Sequence, residues 1–343
     1  MRILKRTVIV LLAVVVILAL GIVAARLYNN HKYPATHSAE YFRDPTNLDA
    51  YPQELDGVEI TQVNDGTLHG FHLKPKDKKH PGVIVSYGGS EGAAGFDDAA
   101  MLAAEGYETL AVFMFGMEGQ PAALAEVPLE QFDDVLGYID SHTDGGPISV
   151  IGASKGAEYA LNLATKYDEI SALVLRAPSA YNFAGLDFSQ DSKSSWTWKG
   201  QPLPFIDIRT SNGAEFVSNV LLPMITGAPI EYLPTYVSAV EEDKDRASKL
   251  IPVQDTSPAI LLIAGGDDKM WDSAGAAELI HSERPENTIV KVYPDAGHIF
   301  SGNGVLSTPK LRMRVGGTEE SNAAAAKDSQ EAILDFFSQQ SRT

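Results

Sequence analysis

A strand, a sharp turn and a helix follow one another at residues 147–164, PISVIGASKGAEYALNLA, and this stretch most constrains the fold. Residues 148–151 predict a buried strand, and residues 157–164 predict a helix. Between them lies G-x-S-x-G with Ser154 at its centre. The flanking glycines allow a turn too tight for a Cβ, and the following helix directs its N-terminal amides at the serine hydroxyl. The stretch therefore predicts a nucleophile elbow.

Strand and helix patterns alternate after residue 82, which predicts an α/β fold with a mainly parallel sheet flanked by helices. A hairpin with an Asp-Gly turn precedes them at residues 58–73. The alternation lapses over residues 179–255, which contain many prolines and Trp196 and Trp198. We expect this segment to be a cap-like insertion that shapes a substrate pocket, and irregular packing without a substrate role is the alternative. The predicted helices are 96–105, 128–141, 237–250, 272–282 and 320–340.

Ser154 needs a base to remove its proton, and that base needs an acid to orient it. In a fold of this kind the acid and then the histidine follow the serine along the chain. His298 lies in YPDAGHIF, just past a predicted strand, where the histidine loop is expected. The alternatives are an ordinary glycine-rich turn at Ser154 and a structural histidine at His298.

The acid is expected after the strand that precedes the histidine loop, in the sequence LLIAGGDDKMWDS. We predict Asp268, because Gly265 sets the register of a G-x-x-D turn. Asp267 is the alternative, since register from one sequence is uncertain by a residue or two. Asp272 is more typical of the N-cap of the following helix.

Two backbone amides are expected to stabilise the charge that develops on the substrate oxygen. One is the N–H of Lys155, directly after the serine. The other belongs to the glycine loop after the predicted strand at 82–87, at Gly89 or its neighbour Ser90. A plain tight turn is the alternative for this loop, and it has neither of the glycine spacings typical of phosphate binding.

Residues 7–25 form an uncharged apolar run long enough to cross a bilayer as a helix. Basic residues precede it, so we expect a single-pass anchor at 1–28 with a cytoplasmic N-terminus and an extracytoplasmic catalytic domain. A cleaved secretory signal is the alternative. The polar residues 29–54 are expected to be a linker, and residues 55–343 the catalytic domain.

The composition excludes several function classes. A formal net charge of −18 argues against nucleic acid as a partner. The absence of cysteine excludes disulfides, thiolate metal sites and a cysteine nucleophile. The eight histidines show no H-E-x-x-H pattern, so we expect neither a metal nor a cofactor.

Several motifs in one order resemble a known family over roughly residues 55–340. In chain order they are GASKGAEYAL, SSWTWKGQPLP, GGDDKMWDS, YPDAGHIF and VGGT. The chain resembles the C-terminal hydrolase domain shared by acyl-CoA thioesterases and bile acid-CoA:amino acid N-acyltransferases. The resemblance implies an α/β-hydrolase fold, with Ser154, Asp268 and His298 as nucleophile, acid and base. Serine at position 154 is similar to the thioesterase branch, because the bile-acid conjugating branch typically uses cysteine.

We therefore expect a membrane-anchored serine hydrolase that cleaves a small acyl thioester or ester through an acyl-enzyme. One alternative is an acyltransferase or peptidase that uses the same three residues. Another is a non-catalytic surface protein that uses the fold for binding.

Overall fold

The computed structural model describes residues 2–35, 40–187, 191–308 and 311–340. Its strands are β1 Val58–Asp65, β2 Leu68–Pro75, β3 Val83–Tyr87, β4 Glu108–Val112, β5 Val127–Pro128, β6 Ile148–Ala153, β7 Ile170–Arg176, β8 Trp196–Trp198, β9 Gln201–Pro202, β10 Ala259–Gly265, β11 Thr288–Tyr293, β12 Val305–Ser307 and β13 Arg312–Arg314. Its α-helices are α1 Arg2–Lys32, α2 Phe96–Ala104, α3 Gln131–His142, α4 Lys155–Ala164, α5 Gly213–Phe216, α6 Leu222–Thr226, α7 Leu233–Glu242, α8 Ser273–Glu283 and α9 Glu319–Gln340.

One eight-stranded sheet organises the domain, with the strand order β1-β2-β4-β3-β6-β7-β10-β11. The pairs β1–β2 and β2–β4 are antiparallel, and every other pair in this sheet is parallel. The predicted hairpin thus forms one end of the sheet. The structure contains the mainly parallel sheet that the alternation of strands and helices predicts.

The central strands are buried on both faces, as expected of parallel strands covered by helices. Alternate side chains point to opposite faces. Val85 and Val150 pack in a core cluster that includes residues of α3, α4 and α8. Ile84 and Ile151 pack on the other face with residues of α2 and α9. The carboxyl ends of the parallel strands all reach the same edge of the sheet, where the loops of the predicted site lie.

Part of the predicted linker packs on the domain. Tyr41 and Tyr51 are buried, and their rings stack with centroids 4.5 Å apart. Tyr51 also lies 4.8 Å from the ring of Phe71 in β2 and 5.6 Å from the ring of Phe96 in α2. Residues 40–54 are therefore attached to the domain through buried aromatic side chains.

The segment between β7 and β10 departs from the alternation, as its sequence predicts. It contributes β8, which pairs in parallel with β5, and β9, which pairs with β8. The helix predicted at 237–250 is wrong in position, because α7 spans Leu233–Glu242. Pro234 lies in the first turn of α7, where a missing N–H costs nothing, and Asp243 adopts an extended conformation that ends the helix.

Helix α1 is long and apolar enough to cross a membrane by length and composition, a test that signal sequences also pass. Its apolar side chains, from Val8 to Leu27, are largely exposed. The helix extends beyond the predicted anchor to Lys32.

Candidate active site

Ser154 lies between β6 and α4, in the turn that the sequence predicts to be a nucleophile elbow. Its backbone has φ 56° and ψ −119°, a conformation that is strained for a residue with a Cβ. A Cβ at Gly152 would lie 2.3 Å from the carbonyl oxygen of Gly156. A Cβ at Gly156 would lie 2.1 Å from the carbonyl oxygen of Gly88 in the loop after β3. Both glycines are therefore required by the close approach of backbone.

The structure brings the three predicted side chains into one hydrogen-bonded chain. His298 Nε2 lies 2.9 Å from Ser154 Oγ, and His298 Nδ1 lies 2.8 Å from Asp268 Oδ2. These residues follow β6, β11 and β10, whose carboxyl ends share one edge of the sheet. Asp268 and His298 are buried, whereas Ser154 remains partly accessible. An imidazole that is bonded to a buried carboxylate thus contacts a partly accessible hydroxyl.

Asp268 is surrounded by donors. Its Oδ1 accepts hydrogen bonds from the backbone N–H groups of Met270 at 2.8 Å and Trp271 at 3.3 Å. Its Oδ2 accepts a hydrogen bond of 2.6 Å from the hydroxyl of Ser273 as well as the one from His298. Donors on both oxygens fix the orientation of the carboxylate.

Trp271 packs against the imidazole of His298. Its ring lies edge-on to that of His298, with centroids 5.2 Å apart, and its indole N–H donates to the carbonyl oxygen of Ala177 at 3.2 Å. Neither Trp271 nor Ser273 is predicted from the sequence to be a site residue. Their signal is their position in the GGDDKMWDS motif, within five residues of the acid.

Asp267 has different partners from Asp268. Its carboxylate pairs with Lys269 at 2.8 Å and accepts a 2.8 Å hydrogen bond from the N–H of Gly317. Gly317 belongs to the VGGT motif at 315–318. Asp267 therefore links the VGGT motif to the loop after β10, whereas its neighbour Asp268 contacts His298.

Gly89 and Lys155, the predicted amide donors, lie on either side of Ser154. Lys155 is the first residue of α4, so its N–H belongs to the first turn of that helix. A Cβ at Gly89 would lie 3.4 Å from the Cβ of Ser154, which places the loop directly beside the serine. The N–H of Gly89 donates a 2.9 Å hydrogen bond to Oε1 of Glu91. One of the two predicted donors is therefore already hydrogen-bonded to a carboxylate.

Glu91 is a site residue that the sequence analysis missed. The residue as a whole is exposed, but its carboxyl group turns inward against Gly88 and Gly89. Desolvation of this carboxyl group raises its pKa, against the effect of the hydrogen bond from Gly89, which lowers it. Only its position two residues after Gly89 could have pointed to this role.

A buried ion pair lies directly after Ser154. Lys155 Nζ is 2.7 Å from Glu158 Oε2, and both side chains are almost completely buried. Burial lowers the pKa of the Lys155 ammonium and raises that of the Glu158 carboxyl, and each charge opposes the shift of the other. Since both charges are removed from water, each depends on the other for compensation.

The same ion pair connects the elbow to the segment between β7 and β10. Glu158 Oε1 accepts hydrogen bonds from the indole N–H of Trp196 at 2.8 Å and from the N–H of Phe183 at 3.1 Å. Lys155 Nζ lies 5.3 Å from the centre of the Trp196 ring. Trp198, the second tryptophan of that segment, packs instead against Tyr167. Trp196 is therefore the tryptophan that contacts the elbow.

We expect Glu158→Ala to destabilise the domain strongly, because it leaves the Lys155 ammonium buried without its counter-charge. Breaking such a pair costs about 3–5 kcal/mol, which corresponds to a lower Tm by on the order of 10 °C. Thermal unfolding followed by circular dichroism measures the effect, with Glu169→Ala as the control at an exposed glutamate. Equal Tm values for the two variants would contradict the assignment.

Comparison with known proteins gives relatives of two activities. Residues 127–342 match the family model described as BAAT / Acyl-CoA thioester hydrolase C terminal. The chain is 28% identical to a bile acid-CoA:amino acid N-acyltransferase of Mus musculus, over 82% of this chain and 66% of that protein. It is 24% identical to acyl-coenzyme A thioesterase 1 of Homo sapiens, over 82% of this chain and 65% of that protein. The chain thus spans slightly less than two thirds of the length of these relatives.

Solved structures support the fold. An esterase of Pyrococcus furiosus superposes with a TM-score of 0.50 at 13% identity, over 89% of this chain and 96% of that one. An acylaminoacyl peptidase of Pyrococcus horikoshii superposes with a TM-score of 0.51 at 13% identity, over 83% of this chain and 42% of that one. At this identity the likeness concerns the fold alone, which is that of α/β hydrolases. With the family model matching more than half of its residues, the chain belongs to the BAAT / acyl-CoA thioester hydrolase C-terminal family.

Proposed function

We propose that this protein is a serine hydrolase that cleaves acyl thioesters or esters through an acyl-enzyme. The observation that carries the proposal is the hydrogen-bonded chain from Ser154 through His298 to Asp268 at the end of the sheet. In it Ser154 is the nucleophile, His298 the general base and Asp268 the acid that orients the imidazole. These roles require no cofactor.

The reaction begins when Ser154 Oγ attacks the acyl carbon and His298 Nε2 takes the hydroxyl proton. The imidazolium that forms is stabilised by Asp268, whose other donors hold it in place. Collapse of the tetrahedral intermediate breaks the bond to the leaving thiolate or alkoxide, which receives the proton from His298. A water molecule, deprotonated by His298, then attacks the acyl-enzyme. Collapse of the second intermediate breaks the bond to Ser154 Oγ, which regains the proton from His298 as the free acid leaves.

The oxyanion of each intermediate is assigned to the N–H groups of Lys155 and Gly89. Lys155 supplies an amide in the first turn of α4, where the helix dipole favours negative charge. Gly89 can donate to the oxyanion only after its N–H has left Glu91 Oε1. Movement or protonation of Glu91 is therefore part of the proposed cycle.

The proposed substrate class is an acyl thioester, with simple acyl esters as the wider class. A relative named as an acyl-coenzyme A thioesterase aligns with 82% of this chain, and that alignment supports a thioester. N-acyl transfer to an amino acid is a second candidate, because a relative of 28% identity is named for that reaction. Both reactions share the acyl-enzyme and differ only in whether water or an amine resolves it.

An activity-based probe and a substrate panel test this proposal. A fluorophosphonate should label the purified chain, with Ser154 as the modified residue in peptide mass spectrometry. The panel pairs acyl chains of several lengths with coenzyme A, a short thiol and an alcohol as leaving groups, with and without glycine. Free acid as product supports the hydrolase, and N-acylglycine supports the transferase. Absence of both labelling and turnover would contradict an enzyme and favour a binding protein.

We further propose that α1 anchors the protein in a membrane as a single-pass helix, with the N-terminus cytoplasmic and the domain extracytoplasmic. The uncharged apolar run at residues 7–25 of α1 and the basic residues before this run support the arrangement. The segment between β7 and β10 is proposed to act as a cap over the acyl pocket, since Trp196 within it contacts the elbow residue Lys155.

The anchor predicts that the chain stays in the membrane fraction after carbonate extraction. We expect protease added to intact cells to remove the domain, and an epitope at the C-terminus reports the cleavage. A soluble form that begins near Arg26 would indicate a cleaved signal instead. Protection of the domain in intact cells would reverse the orientation.

A further inference from the structure

The segment 213–226 bears a cluster of exposed apolar side chains. It is formed by α5, a π-helical turn at Val217–Leu221 and α6. We define its apolar face as Phe216, Val217, Leu221, Leu222 and Met224, which are 40–53% exposed. Outside α1, the described residues include nine large apolar side chains that are exposed, and five of them form this face. Such a concentration indicates an interaction surface.

The far end of α1 is hydrogen-bonded to this segment. Arg26 donates from Nε to the carbonyl oxygen of Ile225 at 2.7 Å and from Nη2 to that of Met224 at 3.2 Å. Asn29 Nδ2 donates to the carbonyl oxygen of Thr226 at 3.0 Å. The last turns of α1 and the last turn of α6 therefore form one contact.

Arg312, in β13, donates hydrogen bonds to both sides of this contact. Its Nε donates to the carbonyl oxygen of Tyr33 at 2.9 Å, just after α1, and its Nη1 donates to that of Gly227 at 3.0 Å, just after α6. Its Nη2 donates to the side chain of Asn30 at 3.0 Å. Because a single guanidinium bridges both chain segments, the apolar face is held at a fixed position relative to α1.

If α1 crosses a bilayer, the length of its apolar run sets the level of the apolar face relative to the hydrocarbon core. Residues 7–25 rise by about 28 Å as an α-helix, which matches a hydrocarbon core of about 30 Å. Arg26 then lies at the boundary of the hydrocarbon, and Met224 and Ile225 lie at the same level. Tyr28, which is exposed two residues later, is typical of the interfacial region.

We propose that the apolar face rests on the surface of the same bilayer that α1 crosses. The occupant is lipid, because hydrogen bonds hold this face beside the end of α1, at the level of the headgroups. Apolar side chains of a helix at that level lower their free energy by entering the boundary between headgroups and acyl chains. The inference rests on the proposed anchor and extends it from one helix to a docked domain.

The chain that follows the apolar face is hydrogen-bonded to the loops that carry Asp268 and His298. The N–H of Leu233 donates to the carbonyl oxygen of Lys269, next to Asp268, at 3.0 Å. The N–H of Arg314 donates to the carbonyl oxygen of Ile230 at 2.7 Å, and the following residue, Val315, accepts from the N–H of His298. Docking on lipid therefore fixes the acid and base loops near the membrane surface.

Single cysteines test the proposal directly, because the native chain contains none. We would place an environment-sensitive nitrobenzoxadiazole label at Leu222→Cys in the face and at Val15→Cys in α1. Ile289→Cys in β11 is the control, since Ile289 is 47% exposed and Leu222 is 50% exposed. The full-length chain is reconstituted in phosphatidylcholine vesicles with doxyl-labelled lipid. We expect lipid quenching at positions 222 and 15, and iodide quenching from water at position 289.

The outcomes distinguish a failure of the docked face from a failure of the anchor and from a loss of catalysis. Quenching at 15 but only iodide quenching at 222 would overturn the docked face and leave the anchor intact. Quenching at 222 without quenching at 15 would support lipid contact and contradict the anchor. A label at 222 that shifts to the blue with protein concentration, without lipid quenching, would show a second copy on the face and overturn the proposal. Fluorophosphonate labelling of each variant reports separately on the active site.

Discussion

Ser154→Ala and His298→Ala should each reduce kcat/KM for an acyl thioester by about 10⁶, the scale seen when residues act as one catalytic unit. The alanine at 154 removes the nucleophile, and the alanine at 298 removes the base bonded to its hydroxyl at 2.9 Å. Since each loss disables the same step, the double variant should be scarcely slower than either single one. Steady-state kinetics on the full-length chain measures all three.

Ser282→Ala and His142→Ala are the matched controls, because both residues are exposed and lie on helices. Both controls should retain wild-type turnover. Circular dichroism should show the same fold for every variant. Full turnover by Ser154→Ala would refute the nucleophilic mechanism, and multiplied losses in the double variant would show that the two residues act independently.

Asp268→Asn should reduce kcat/KM by about 10⁴, because an amide no longer fixes the tautomer of the imidazole that the base requires. The loss is smaller than for His298→Ala, since the imidazole remains available in a poorly oriented form. The hydroxyl of Ser273 and the two backbone amides that bond to Asp268 should hold the asparagine in place. The variant should therefore fold normally.

Asp267→Asn is the internal control, one residue away. Its carboxylate contacts Lys269 and Gly317 rather than the histidine. Since one hydrogen bond contributes about 1 kcal/mol net, the variant should lose less than about tenfold in kcat/KM. A large loss of kcat/KM in Asp267→Asn, together with near-normal kcat/KM in Asp268→Asn, would assign the acid to position 267 and leave the rest of the mechanism unchanged.

The sheet and the meeting of the three side chains could be anticipated from the sequence because both depend on local patterns. Each parallel strand is an apolar run bounded by a turn, and parallel strands bring their carboxyl ends together. The residues that follow those ends, Ser154, Asp268 and His298, therefore had to converge. Hydrogen bonding distinguishes Asp268 from Asp267, which the glycine register alone could not do with certainty.

The rest of the site depends on contacts between distant parts of the chain. Glu158 is an ordinary helix residue in sequence, and its role comes from Trp196 and Phe183, which lie in another segment. Tyr41 and Tyr51 occur in a polar stretch, and only the arrangement of the sheet provides the aromatic cluster that buries them. Tertiary packing of this kind has no periodicity along the chain and leaves no pattern to find.

The hydrogen bond from Gly89 to Glu91 implies two states of the loop after β3 in the proposed cycle. In one the amide is held by the carboxylate, and in the other it is available to a reacting carbonyl. The apparent affinity for any ligand that needs the amide is reduced by the fraction of molecules in the second population. A substrate shifts the balance only by the free energy of the hydrogen bond that its own carbonyl oxygen makes to the Gly89 N–H, because contacts that are equal in both states do not change their ratio. Under the proposed mechanism, Glu91 therefore reduces the apparent affinity for large and small substrates by the same factor.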